Sequence, residues 1–136
     1  MKKLLSTKYS AGAFNFATLV LRLVFGGLLM ANHGYGKLIH FSDTASKMPN
    51  FLGIGQTATT ALVVFAEFFC ALFVMIGLFT RLACIPVLIC MIYALAVAHH
   101  GHIFSDGEAA TLFLGVYAAL LFVGPGRVSV DGLIGK

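Results

Sequence analysis

Four apolar runs, at about 14–32, 57–79, 82–98 and 107–123, leave this chain little choice of fold. A helix that spans a bilayer needs roughly 20 apolar residues, with about 17 near the lower limit. The first two runs meet this comfortably. The last two are short, so their outer ends are expected to rest in protein rather than among headgroups. Hydrophobic residues make up 60% of the chain and charged residues 10%, whereas a soluble domain carries about 25% charge. The mean hydropathy is +0.97. These features predict an all-α membrane protein, a four-transmembrane-helix bundle forming a single domain over residues 1–136 in a lipid bilayer.

The net charge of +4 does not point to nucleic acid, because no basic stripe with interleaved aromatics exists. The cations fall instead at the ends of the apolar runs. With the N-terminus inside, Lys2, Lys3, Lys8, Arg81, Arg127 and Lys136 lie on the cytoplasmic side, and only Lys37 and Lys47 lie outside. That asymmetry favours cytoplasmic N- and C-termini. The first run contains Arg22 and lacks a small-residue cleavage site after Met30, so it reads as a retained helix rather than a signal peptide. Thr80-Arg81 is too short a turn for anything but antiparallel neighbours on either side. The external loop, 33–56, carries Phe41, Met48, Phe51, Leu52 and Ile54, and reads as a surface piece or a lid over the bundle. Gly124-Pro125-Gly126 stops the fourth run.

Arg22 and Glu67 each stand alone inside an apolar run. A charge in hydrocarbon is costly unless answered, and marks a functional site by default. Arg22 lies ten residues below Asn32 and Glu67 ten below Thr57, which places both about 15 Å down at the usual helical rise. An ion pair between them is therefore expected, as a structural clamp or as the floor of a polar pocket. Arg22, Gly26, Leu29, His33 and Lys37 share one helix face, and Gln56, Thr60 and Glu67 share another. Together they describe a polar groove leading outward, which Tyr93 and Tyr117 are placed to line.

All five histidines, His33, His40, His99, His100 and His102, fall on the expected outer side, with Asp106 and Glu108. Imidazole and carboxylate are ligands for a metal or haem. His99 and His102 are the candidate metal ligands, although no zinc spacing is present. Cys70, Cys84 and Cys90 form no CxxC motif and read as small core residues. A quinone fits the composition better than haem or a metal. It needs an apolar slot, a few donors to its carbonyl oxygens and protons on reduction.

Three blocks, Leu21-Arg22-Leu23-Val24-Phe25-Gly26-Gly27 with His33-Gly34-Tyr35-Gly36-Lys37-Leu38, then Glu67 with Gly77-Leu78-Phe79-Thr80-Arg81, then Gly124 to Asp131, resemble the DoxX family of small bacterial four-helix membrane proteins. The resemblance spans about Leu19 to Leu133. It implies a multi-pass protein of the bacterial cytoplasmic (inner) membrane, associated with membrane redox assemblies such as thiosulfate:quinone oxidoreductase. It also implies that Arg22, His33, Lys37 and Glu67 carry the function. No nicotinamide, flavin or iron–sulfur fingerprint occurs, so catalysis by the chain alone is not expected; a redox partner subunit or a homo-oligomer would complete the system. The reading is a redox-associated subunit that binds a quinone-like amphiphile in an outward-facing pocket. Glu67 and His33 relay protons, and Arg22, Lys37, Tyr93, His100 and Glu108 bind the ligand. Two alternatives stand beside it: a non-enzymatic assembly subunit with a structural Arg–Glu pair, and a small proton-coupled transporter acting as an oligomer.

Overall fold

Ser10 starts the first helix, its hydroxyl accepting the N–H of Ala13 at 3.4 Å. The helix, α1, runs without a break from Ala11 to Ile39 (Ala11–Ile39, 29 residues). This is a computed structural model, and it describes residues 1–135; Lys136, counted above among the cytoplasmic cations, lies outside the described residues. A short helix α2 (Phe41–Lys47) and a single tight turn at Phe51–Gly53 follow. Then come α3 (Gln56–Ile76), α4 (Thr80–Ala98), α5 (Glu108–Val123) and a last turn of helix, α6 (Val130–Leu133). No strand occurs among the described residues. α1, α3 and α4 are long and apolar enough to cross a membrane, and α5 is a shorter apolar helix.

The observed helices differ from the expected runs mainly at the first. It ends at Ile39 rather than near residue 32, so the external loop begins at His40 and not at residue 33. The physical reason is that His33, Gly34 and Lys37 do not face water. Gly34 is buried against α3, and His33 and Lys37 are half-buried. Polar residues with partners inside a bundle do not end a helix. α1 is thus roughly 44 Å long at 1.5 Å per residue, longer than the ~30 Å hydrocarbon layer.

α1 and α3 meet through glycine. A Cβ on Gly26 would lie 3.0 Å from Met75 Cβ, and one on Gly34 only 2.5 Å from the backbone oxygen of Glu67. Small residues of this kind bring helix backbones together where lipid offers no hydrophobic drive. Widened, i→i+5 turns occupy Arg22–Gly26 and Met30–Gly34 in α1, Phe65–Cys70 in α3 and Ala94–Ala98 in α4. The second of these moves the buried stripe of α1 from Leu29 to Gly34, a step of five. Such turns often hold functional residues. The core is built from Leu29, Cys70, Ala71, Val74, Cys84, Val87, Tyr117 and Leu120. Leu23, Leu62, Leu82, Ile89 and Phe122 are exposed on the outside, as lipid-facing residues would be.

The end of the bundle that carries both chain termini is locked by Arg22, which is 2% exposed. α3 closes with Gly77 in the left-handed conformation (φ 75°). Leu78 N–H returns to Phe73 O at 2.8 Å and Gly77 N–H to Val74 O at 3.1 Å, a Schellman closure that still leaves carbonyl capacity unused. Arg22 takes it up, donating to Val74 O at 3.1 Å and Met75 O at 3.4 Å. The same guanidinium donates to Pro125 O at 2.5 Å and Val128 O at 2.8 Å. The segment after α5 is thereby bound to the end of α3. Asp131 completes the lock. Its carboxylate accepts the N–H of Phe79 at 2.9 Å and of Thr80 at 3.1 Å, at the start of α4. The expected clamp is an ion pair between Arg22 and Glu67; Arg22 instead takes backbone carbonyls as its partners.

Replacing Arg22 by Met removes the guanidinium's bonds to these carbonyls, and each charge-assisted bond is worth about 1.5–3 kcal/mol. Arg22→Met is expected to lose about 3 kcal/mol or more, and Asp131→Asn about 1 kcal/mol as a weakened cap. Denaturation in mixed micelles followed by circular dichroism measures both. An Arg22→Met protein as stable as the parent would remove the anchoring role.

Candidate functional site

The expected Arg22–Glu67 ion pair does not form. Because α1 reaches Ile39, Arg22 lies 17 residues from its loop end, or roughly 26 Å. Glu67 lies 11 residues from Gln56, the loop end of α3, or roughly 16 Å. The two charges sit at different depths. Glu67, 4% exposed, pairs instead with Lys37, one turn beyond the Gly34 contact on α1. The tight glycine approach carries the Lys37 ammonium onto Oε2 of Glu67. The other carboxylate oxygen accepts the thiol of Cys90 on α4, at 3.7 Å.

This pair forms part of the wall of a cavity of about 310 Å³ at the loop end, between α1, α3, α4 and α5. His33, Lys37 and Leu29 line it from α1, Val63 and Glu67 from α3, and Cys90, Met91 and Tyr93 from α4. Phe113 and Ala110 close it from α5, and Met48 and Pro49 cover it from the external loop. The His33 ring stands edge-on to Phe113, with centroids 5.6 Å apart. Tyr93 stands edge-on to Phe51 at 4.8 Å. That loop is fixed in place: Gln56 donates to Met48 O at 2.9 Å, and Thr59 accepts the N–H of Phe51 at 3.1 Å. The loop is therefore held against the bundle beside the cavity.

The structure brings His33, Lys37, Glu67, Tyr93 and His99 to one cavity and leaves Arg22, His100, His102 and Glu108 elsewhere. Arg22 is at the opposite end of the bundle. His100 and Glu108 are exposed and do not line the cavity; His99 and Asp106, from the same connection, do. His100 is turned away because it and Gly101 adopt positive φ (50° and 78°), which ends α4 sharply. Tyr117 is fully buried, its hydroxyl donating to Phe25 O at 3.3 Å. Gln56 and Thr60 spend their polar groups on backbone carbonyls. The expected polar groove is thus a closed-in cavity with its charges at the bottom. Among the described residues no group of three His, Cys, Asp or Glu is placed to hold a metal ion. His102 faces His100, with ring centroids 6.5 Å apart, and is not at the cavity.

A larger hollow, about 470 Å³, lies at the terminal end beside Tyr9, Phe14, Arg81 and Arg127. Three of its polar side chains hold the fold: Asp131 caps α4, Asn15 accepts the N–H of Arg127, and Arg81 donates to Phe122 O at 3.3 Å. The smaller cavity is bordered by the one ion pair found among the described residues. One determinant at each end could have been found in the sequence. Gly34 precedes Lys37 by one turn, and Asp131 is the only acidic residue near the end where Arg22 lies.

A protein-family model, DoxX, matches residues 17–100 of the chain. That is more than half of its length, and the chain belongs to this family. The matched segment holds Arg22, His33, Lys37 and Glu67, while the Gly124–Asp131 block lies beyond it. No curated protein and no solved structure matches the chain.

Two outcomes test this geometry. Gly34→Ala sets a methyl group against the backbone of α3 and is expected to destabilise by about 1–3 kcal/mol, as overpacking does. Gly36→Ala meets nothing within 4 Å and is expected to be neutral or stabilising by up to about 1 kcal/mol. Lys37→Met alone strands a buried carboxylate, so the Lys37→Met, Glu67→Gln double variant is expected to be more stable than the single. A double-mutant cycle on unfolding free energies measures the coupling; additive effects would show that the pair does not interact.

Proposed function

We propose that this DoxX-family chain is a small redox-associated subunit of the bacterial cytoplasmic membrane, crossing it four times with both termini inside. Its loop-end cavity receives a quinone-like amphiphile. The observation that carries this reading is the buried Lys37–Glu67 pair set in the wall of an otherwise mostly apolar cavity. Small-molecule sites have this make-up, a few placed polar groups among apolar side chains in a few hundred Å³. An ammonium has three donors and no acceptor. Lys37 spends one on Glu67 and can offer another to a carbonyl oxygen in the cavity. Reduction of a quinone takes up two electrons and two protons. His33 and Glu67 are placed to pass the protons, and a redox partner subunit supplies the electrons.

The alternative, an assembly subunit whose charges only hold the fold, suits Arg22, all of whose hydrogen bonds go to backbone carbonyls. It does not suit Lys37 and Glu67, which line a cavity rather than filled space.

Binding of a water-soluble quinone analogue to the protein in nanodiscs tests the proposal. Saturable binding is expected, weakened about tenfold or more in Lys37→Met and His33→Ala variants that remain folded. Glu67→Gln is expected to retain binding better than turnover in an active complex. Absence of saturable binding, or undiminished binding in both folded variants, would overturn it.

A further inference from the structure

A second hollow, about 330 Å³, lies between α3 and α4. Leu62, Phe65 and Ala66 form one bank, and Pro86 and Ile89 the other, with no charged residue among its lining. Leu62 and Ile89 are 52% and 55% exposed, so the groove opens on the outer, lipid-facing surface of the bundle. Val63, Cys90 and Tyr93 line both this groove and the loop-end cavity. Those three side chains form a wall common to both hollows. Cys90 touches both sides, since its thiol also donates to Glu67.

We infer that this groove seats the apolar tail of the amphiphile whose head occupies the loop-end cavity, an inference that rests on the function just proposed. Three observations support it. Met48 and Pro49 cover the cavity from the loop side, so the α3–α4 seam is its approach from the membrane. Phe51, also in the groove lining, packs edge-on against Tyr93. It is held there by a strained loop in which Leu52 has φ 50° and Asn50 accepts the N–H of Gly55 at 2.7 Å. A non-glycine residue at positive φ is maintained only where the surroundings impose it.

The third observation is depth, and it selects the occupant. Glu67 lies roughly 16 Å from the loop end of α3, within the hydrocarbon layer. A phospholipid would have to bring its charged headgroup to that depth, which is costly. A neutral ring that accepts hydrogen bonds, joined to a linear isoprenoid-like tail, meets both halves of the site. The ring lies against Lys37 and the tail runs past Tyr93 into the groove.

The test compares two ligands with the same quinone ring, one tailless and one isoprenoid-tailed, on the full chain in nanodiscs, with affinities corrected for partitioning into lipid. Leu62→Trp and Ile89→Trp fill the groove from exposed positions; either one, checked for helix content and monodispersity, suffices. Tighter binding of the tailed ligand to the parent is expected. Filling the groove should weaken that ligand about tenfold and change the tailless one less than about twofold. Equal affinity of the two ligands for the parent, or equal response of both to the substitutions, would show that the groove holds only bilayer lipid, leaving the head site intact. Failure of both ligands to bind the parent would overturn the quinone reading itself, and this inference with it.

Discussion

Arg22 holds this bundle together by donating to carbonyls that belong to two different stretches of chain. A helix that ends inside a protein leaves carbonyls unsatisfied, and the Schellman turn at Gly77 answers only some of them. A planar guanidinium, with five donors in a fixed fork, can serve the end of α3 and the Pro125–Val128 segment together. Once that segment is docked, Asp131 accepts the N–H groups of Phe79 and Thr80 at the start of α4. One buried cation therefore fixes the end of α3, the return of the chain after α5 and, through it, the start of α4. This end of the molecule has little freedom left for chemistry.

The opposite end is organised by proximity rather than by a network. Gly34 lets α1 lie against the backbone of α3, and Lys37 then meets Glu67 one turn further on. The widened turn at Met30–Gly34 is part of the same device, since it rotates the contact stripe so that Gly34 faces α3 and His33 faces the cavity. The result is two separated charge systems. At the terminal end a cation is saturated with backbone oxygen. At the loop end an ion pair borders empty space. The two ends thus differ in how their charges are answered, by backbone oxygens at one and by an opposite charge beside a cavity at the other. An apolar groove lies beside that cavity and shares Val63, Cys90 and Tyr93 with it.

Much of the architecture could be read from the chain alone. The apolar runs announce the long helices, and Arg22 and Glu67 stand out as charges that need partners. The positions of Gly26 and of the Gly124-Pro125-Gly126 stop were also legible. Depth was not. Hydropathy falls at His33 and Lys37, so a sequence reading ends the first helix there and lifts Arg22 to the level of Glu67. In the structure those polar residues are housed inside the bundle, the helix continues to Ile39, and the levels separate. The histidines show the same limit. His99 reaches the cavity while His100 beside it does not, because a positive-φ turn between helices decides the direction of each side chain.

By itself, then, the sequence determined that the chain is helical, suited to a bilayer and obliged to satisfy two isolated charges, since periodicity and transfer energy are properties of local composition. Only the tertiary structure decided which partner each charge takes. That choice depends on the relative height and rotation of packed helices, set by glycine contacts and widened turns between residues more than thirty positions apart, and no local pattern records it.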